Sequence, residues 1–541
     1  MLLALAVPAA AQQRLPVPVT PAAPALQPAP KLLVVISVDQ FSAELFETYR
    51  PTVTGGLARM AGGIAFASGY QSHAATETCP GHSTITTGDR PTRTGIIAND
   101  WVDLNTARTD KTVYCAEDEF VPGSTSTAYT VSDKHLRVPT LGERMKAWRP
   151  ATRVYSVAGK DRAAVMMGGH AVDQLWWWDG KAFASYAGRA APAAVTQINT
   201  GVAAQIAAPA TALTPPAWCA ARDKAIDIGG GKTVGTGRFA RAAGDARGWR
   251  ASPAFDGATL ALAARLIADG RLGRGSVTDI ISIGASATDY VGHTYGPGGL
   301  ETCIQLASLD RDLGDFFRVL DRLKLDYAVV LTADHAGLDL PERARLNGVP
   351  DAQRIDPNFT PKLIGEAIAA KFGLSGQLLW GGSIGDVWID PKLSAADRAR
   401  VETEAIRVAR AHPQVETILT AREIAATPLA TTPPDQWTLL ERARASYDPQ
   451  RSGVFQIVLK KNVTPIADPT KGYVATHGSF WDYDRRVPIL FWRRGMIPAR
   501  PTRAIETIDI APTLAALIAL PLAAGAVDGK CLPEVAGNAC R

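Results

Sequence analysis

The sequence predicts an α/β fold, a mostly parallel central sheet flanked by helices, and three observations carry the prediction. Short apolar, β-branched runs recur at Leu32–Val38 (LLVVISV), 154–157, 279–283 (DIISI) and Tyr327–Thr332 (YAVVLT). Continuous runs of this kind suit parallel strands buried on both faces. Apolar residues at helical spacing lie between them, at 259–269 and 306–323. Polar residues then gather where the runs end: Asp39 after the first, Lys160 and Arg162 after the second, Asp289 and His293 after the third, Asp334 and His335 after the fourth. Open α/β sheets bind ligands outside the carboxyl ends of their strands, so this coincidence points to one site.

In chain order, MLLALAVPAAAQQ has the apolar and small-residue pattern of a secretory signal over residues 1–11, cut before Gln12, although no basic segment precedes it. Export to the periplasm or medium is the expectation. Residues 12–30, rich in Pro, Ala and Gln, read as an extended linker, and folding is expected to begin at Lys31. Residues 31–541 then form one large catalytic domain with insertions at about 165–255 and 340–470. The first insertion contains QLWWWDGKAFASY, where Asp179-Gly180 signals a hairpin and Trp176 to Trp178 read as packing rather than a substrate stack. The second contains a helical pattern at 395–411 and a strand-like run at 454–459. Six cysteines suit an oxidising compartment and leave their pairing open, Cys531 with Cys540 being the most local choice. The apolar stretch 510–527 holds Pro512 and Pro521 and reads as a buried helix, not a membrane span. With 57 basic and 52 acidic residues scattered along the chain, no nucleic-acid-binding face emerges, and a small anionic substrate fits.

Between the first and second strands lies SHAATETCPGHSTITTGDRPTRTGIIANDW, centred on Thr78. Thr78 reads as a helix N-cap, Pro80 suits the first turn, and Gly88 can end the helix. A helix start gathers unpaired N–H groups, so a hydroxyl there suits attack on a phosphoryl or sulfuryl group. Activation has to come from elsewhere. Asp289 and His293 stand four residues apart, Asp334 and His335 are adjacent, and His477 lies among small residues in ATHGSF. Together with Asp39 and Thr78 they make seven ligands, enough for two cations, and the mixed N and O set suits zinc. Metal coordination would also activate the Thr78 hydroxyl. The other histidines, His73, His82, His135, His170 and His412, read as ordinary satisfied residues.

These motifs, from LLVVISVD through ETCPGHST, GIIANDW, SVAGKDRAAV, DYVGH, TADHAG and THGSF to the tail IDIAPTLAAL, resemble the alkaline phosphatase superfamily. They are most similar to its secreted, zinc-dependent phosphomonoesterases with a threonine nucleophile, the PafA/PhoK type. The resemblance covers nearly all of the chain from Lys31 and implies an alkaline-phosphatase-like core with cap insertions. It further implies that Asp39, Asp334, His335 and Thr78 hold one Zn2+ and that Asp289, His293 and His477 hold the other. Asn99, Lys160 and Arg162 would bind the non-bridging oxygens of a phosphate monoester, and Thr78 would carry the phosphoryl group. Oligomeric state, and further ions such as Ca2+ in the insertions, are left open by the sequence.

The nearest alternative is a phosphodiesterase or nucleotide pyrophosphatase of the same superfamily. Lys160 and Arg162 argue against it, because two cations suit a dianionic monoester better than a diester. A sulfatase would require Cys or Ser followed by x-Pro-x-Arg, whereas Pro80 directly follows Cys79 and His82 stands where the arginine belongs. A phosphoglycerate mutase-like enzyme would use serine. A binding protein with structural zinc would favour closed, cysteine-rich ligation, unlike this Asp/His set with its hydroxyl.

Overall fold

A computed structural model of the chain describes residues 28–540, so the expected signal peptide and most of the linker lie outside the described residues. The run at Leu32–Val38 forms strand β1, with every residue buried. Its alternation divides it between two cores. Leu32, Val34, Ile36 and Val38 pack on one face of the sheet, and Leu33 and Val35 on the other. Each such side chain contributes roughly 2 kcal/mol of burial, so β1 acts as the keel of the domain.

The remaining strands of the main sheet are β2 (Ile64–Tyr70), β3 (Val154–Ala158), β4 (Gln174–Trp178), β5 (Phe183–Ala184), β6 (Asp279–Ala285), β7 (Tyr327–Thr332), β8 (Arg486–Arg493) and β9 (Ile505–Glu506). Their order is β9-β2-β8-β7-β1-β6-β3-β4-β5. β1 pairs in parallel with β6 and β7, β6 with β3, and β3 with β4. β8 runs antiparallel to both β7 and β2. The four predicted strands are therefore neighbours, and their carboxyl ends share one edge.

Helices cover both faces. Pro253–Asp269 and Leu300–Arg322 supply Leu260, Leu306 and Phe316 to one core. Thr78–Thr87, Leu141–Trp148 and Asp161–Gly168 supply Ile85, Met145 and Val165 to the other.

The main sheet takes in residues that the sequence reading gave to the first insertion. β4 extends the sheet beyond β3, and a hairpin at Asp179-Gly180 turns it into β5. Trp177 faces one core while Trp176 and Trp178 face a second, which includes Trp249 and Phe255. The aromatic run is thus a strand buried on both faces, one place in from the edge that β5 forms. Farther along, a four-stranded antiparallel sheet of Leu379–Gly381, Gly385–Ile389, Phe455–Leu459 and Val415–Thr420 packs with helices Pro361–Phe372 and Ala395–Arg410 around a core of its own.

All six cysteines pair, as Cys79–Cys115, Cys219–Cys303 and Cys531–Cys540. Helix Ile510–Leu517 is largely buried. Among the described residues no helix is long and apolar enough to cross a membrane.

Candidate active site

The helix Thr78–Thr87 begins at the sheet edge and is buried along its whole length. Glu77, in extended conformation, is its N-cap, so Thr78 is the first helical residue rather than the cap expected from sequence. Gly88 closes the helix at φ 75°, a left-handed conformation that glycine adopts without strain. Burying so many hydroxyls requires internal partners: Ser83 donates to Pro80 O at 2.8 Å and Thr84 to Gly81 O at 2.8 Å. Gly81 permits a close approach, because a Cβ there would lie 2.0 Å from the backbone oxygen of Asp334. The helix is thereby pressed against the loop that follows β7.

The expected metal ligands form two groups. Asp289, His293 and His477 come together, as do Asp39 and Asp334. In the first group, Nε2 of His293 and of His477 lie 3.2 and 3.4 Å from Asp289 Oδ1. Their Nδ1 atoms bond to the backbone oxygens of Ala475 and Thr76, at 2.8 Å each. His335 Nδ1 is tied to Ala336 O at 2.9 Å in the same way. Such bonds fix the tautomer and leave Nε2 for the ligand. In the second group, Asp334 Oδ1 accepts from the backbone N–H of Gln40 and of His335, which leaves Oδ2 facing the site.

Two histidines depart from the expectation: His73, expected to be satisfied, is fully buried with neither ring nitrogen partnered among the described residues, and His82 joins the carboxylates of the site. His82, read as an ordinary residue, is fully buried, with Nε2 3.3 Å from Asp39 Oδ1 and Nδ1 3.3 Å from Asp334 Oδ2. It completes the second group. His335 instead stacks on His477, with ring centroids 3.6 Å apart, and its Nε2 approaches Asp334 Oδ2 at 3.2 Å. The signal for His82 was present in the sequence as its spacing of four from Thr78, the same spacing that joins Asp289 to His293. Elsewhere His170 and His412 pair with Glu143 and Asp356, as satisfied residues do, whereas His135 Nε2 lies 3.1 Å from Glu119 without an aligned hydrogen bond.

Several buried atoms here make no aligned hydrogen bond among the described residues, although Lys160 and the histidines stand within ion-pair distance of the carboxylates: both oxygens of Asp39, Oδ1 of Asp289, Oδ2 of Asp334 and Nε2 of His82 and His335. Buried carboxylates are ordinarily paired or bound to metal, so this donor set fits divalent cations. Burial would raise Asp289, but His293 and Lys160 hold it well below the usual carboxylate range. Burial likewise opposes the charge on His335, yet Asp334 outweighs it and pushes the ring up to about 9. His477 is pushed down to about 3, by burial and then by His335.

Lys160 joins the parts. Its Nζ lies 2.6 Å from Asp289 Oδ2, 3.0 Å from Asp39 Oδ2 and 3.3 Å from Thr78 Oγ1, so it touches one carboxylate of each group and the hydroxyl between them. The carboxylates overcome burial and keep it charged. Asn99 sits at the helix start, where its Oδ1 accepts from Cys79 N–H at 2.8 Å and its own N–H donates to Glu77 at 2.6 Å. Arg162 does not pair through its guanidinium with Asp161. Both oxygens of that carboxylate are taken by phenols, Tyr114 and Tyr129, at 2.7 Å each. All ten sequence-predicted site residues therefore lie at one edge of the sheet, and His82, Glu77 and Tyr114 are the additions.

Comparison with known proteins agrees with this geometry. Residues 33–480 match the family described as type I phosphodiesterase/nucleotide pyrophosphatase. The chain is 56% identical to alkaline phosphatase PhoK of Sphingomonas sp., over 94% of this chain and 92% of that protein. It is 45% identical to alkaline phosphatase PhoD of Zymomonas mobilis, over 93% and 88%. The crystal structure of wild-type alkaline phosphatase PafA superposes with a TM-score of 0.79 at 26% identity, covering 94% of this chain and all of that one. Sequence match, relatives and fold coincide over nearly the same residues, and the chain belongs to the type I phosphodiesterase/nucleotide pyrophosphatase family of the alkaline phosphatase superfamily, in the branch that holds PhoK and PafA.

Proposed function

We propose that the protein is a zinc-dependent alkaline phosphatase that hydrolyses phosphate monoesters through a phosphothreonine at Thr78. The observation that carries this reading is Lys160, whose ammonium reaches Thr78 Oγ1 and a carboxylate of each metal group at once. A phosphoryl group attacked by Thr78 would meet that charge directly. The family name spans diesterases as well, but the relatives at 56% and 45% identity are both called alkaline phosphatases. Lys160 beside the hydroxyl, with Arg162 as a second cation, suits the extra charge of a monoester.

Asp289, His293 and His477 would hold one ion; Asp39, Asp334 and Thr78 would hold the other together with His335, or with His82, which the structure sets against both carboxylates. When bound, the two ions supply Lewis-acid charge to the nucleophile and leaving oxygens. Thr78 Oγ1, on losing its proton, attacks phosphorus in line as the bond to the alcohol oxygen breaks and the alcohol departs; water then attacks phosphorus from the side the alcohol vacated, breaking the bond to Oγ1 and releasing phosphate. Lys160, Arg162 and the Asn99 amide hold the equatorial oxygens, and the Lys160 charge is preorganised because the fold has already buried it. Export is part of the same proposal, and the three disulfides support it, since disulfides form most readily outside the cytoplasm.

The test is quenched turnover of a labelled aryl phosphate, with chelator-treated and zinc-restored enzyme side by side. Label on Thr78 that disappears with chelation is expected. Full turnover after metal removal, or label on Ser83 or Thr84, would refute the proposal.

A further inference from the structure

The clamp residue Arg162 is held by an assembly with no part in the chemistry above. Asp161, the preceding residue, is almost fully buried, and its two oxygens accept from Tyr114 and Tyr129. The two rings lie 4.6 Å apart, one against the other. Tyr114 is itself buried, and its hydroxyl oxygen accepts from Arg162 Nη1 at 3.3 Å while its proton goes to Asp161. The hydrogen bonds thus run from guanidinium to phenol to carboxylate. Because the carboxylate is spent on phenols, Arg162 is steered without having its charge cancelled by a direct ion pair.

The same tyrosine is tied to the nucleophile through the backbone. Tyr114 precedes Cys115 and Thr78 precedes Cys79, and these two cysteines form a disulfide with both members fully buried. Cys115 N–H donates to Asn99 O at 2.9 Å, and Cys79 N–H holds the Asn99 side chain at 2.8 Å. One covalent link therefore fixes the spacing of Thr78, Asn99 and the phenol behind Arg162. We infer that Tyr114, backed by Asp161 and Tyr129 and stapled to the nucleophile helix by Cys79–Cys115, is a positioning residue that aims Arg162 at the phosphoryl group. This rests on Arg162 acting as proposed above.

Tyr114→Phe removes one hydroxyl and keeps the ring that fills the core, so it is the variant to make. Hydrogen bonds to charged groups in buried sites predict a fall of roughly 10-fold in kcat/KM for an aryl phosphate monoester. The matched diester should fall less than about 3-fold. In an Arg162→Ala background the same substitution should cost less than about 2-fold, since a positioning residue has nothing left to aim. Replacing both cysteines by serine should shift the monoester-to-diester ratio in the same direction. A Tyr114→Phe loss that is equally large with and without Arg162, or equal on both esters, overturns the assignment. Equal losses of monoester and diester activity on Arg162→Ala alone would instead refute the clamp, and the positioning role with it.

Discussion

Replacing Lys160 and Arg162 together by alanine should convert a monoesterase into an enzyme that scarcely distinguishes mono- from diesters. Lys160 is 3% exposed and lies 3.3 Å from the attacking oxygen, so a transferring phosphoryl group would be in contact with its ammonium. At an effective dielectric of about 20, a pair of unit charges ~4 Å apart interacts with ~4 kcal/mol. A monoester dianion carries one more negative charge than a diester, so that energy is the most that one cation can contribute to discrimination. Charge spread over the phosphoryl oxygens and water entering the vacated space reduce it to roughly 2 kcal/mol, or about 30-fold in kcat/KM, for each cation. The double variant should therefore change the monoester-to-diester ratio by about a thousandfold. Steady-state kinetics on matched aryl phosphate mono- and diesters reads it, with zinc content measured on the same samples because Lys160 also touches Asp39 and Asp289. Equal proportional losses on both substrates, with metal retained, would refute the reasoning and favour diesterase chemistry.

Thr78→Ala should abolish labelling and turnover yet leave the thermal midpoint within a few degrees, as differential scanning fluorimetry would show. His82→Ala and His335→Ala should separate two roles: the variant that loses one equivalent of zinc by mass spectrometry identifies the ligand, and the other should keep both ions. Gly81→Ala should destabilise the fold by about 1–3 kcal/mol and reduce activity, since its Cβ would stand 2.0 Å from Asp334 O; denaturant titration measures the cost. His170 is raised to about 9, first by its hydrogen bond to Glu143. Its contribution is therefore complete below about pH 6.5, its ordinary value, and is lost as pH rises through about 9. The stability gap between wild type and His170→Ala should close across that interval.

The parallel half of the sheet was legible because strands buried on both faces are written as unbroken apolar runs, and all four runs became neighbouring strands. β2 and β8 were not recognised. IAFASGY and RVPILFWR mix small, polar and proline residues, and their antiparallel pairing to each other carries a register shift that blurs any simple period. Site residues were legible where they follow a strand directly, as Asp39 and Asp334 do. His82 was missed because a histidine inside a polar helix resembles a capped surface turn; only tertiary burial turns it toward the carboxylates. The Cys79–Cys115 link could not be chosen from spacing, since the two half-cystines are brought together by the site itself.

The candidate ligands enter the chain at residues 39, 78, 289, 293, 334, 335 and 477, and this spread has a consequence for how the protein matures. During synthesis the ligands Asp39, Thr78, Asp334 and His335 are all made by residue 335, but the group of Asp289 and His293 is incomplete until His477 has been made and packed, by which time every strand of the parallel core exists. Filling of that group thus comes last and reports completion. A divalent cation at about a hundred times its dissociation constant there would add about 2.7 kcal/mol to the finished fold and nothing to a chain that lacks His477. A chain cut short before residue 477 should emerge without that reinforcement, with three aspartates crowded in its interior, and be the form most readily cleared by proteases.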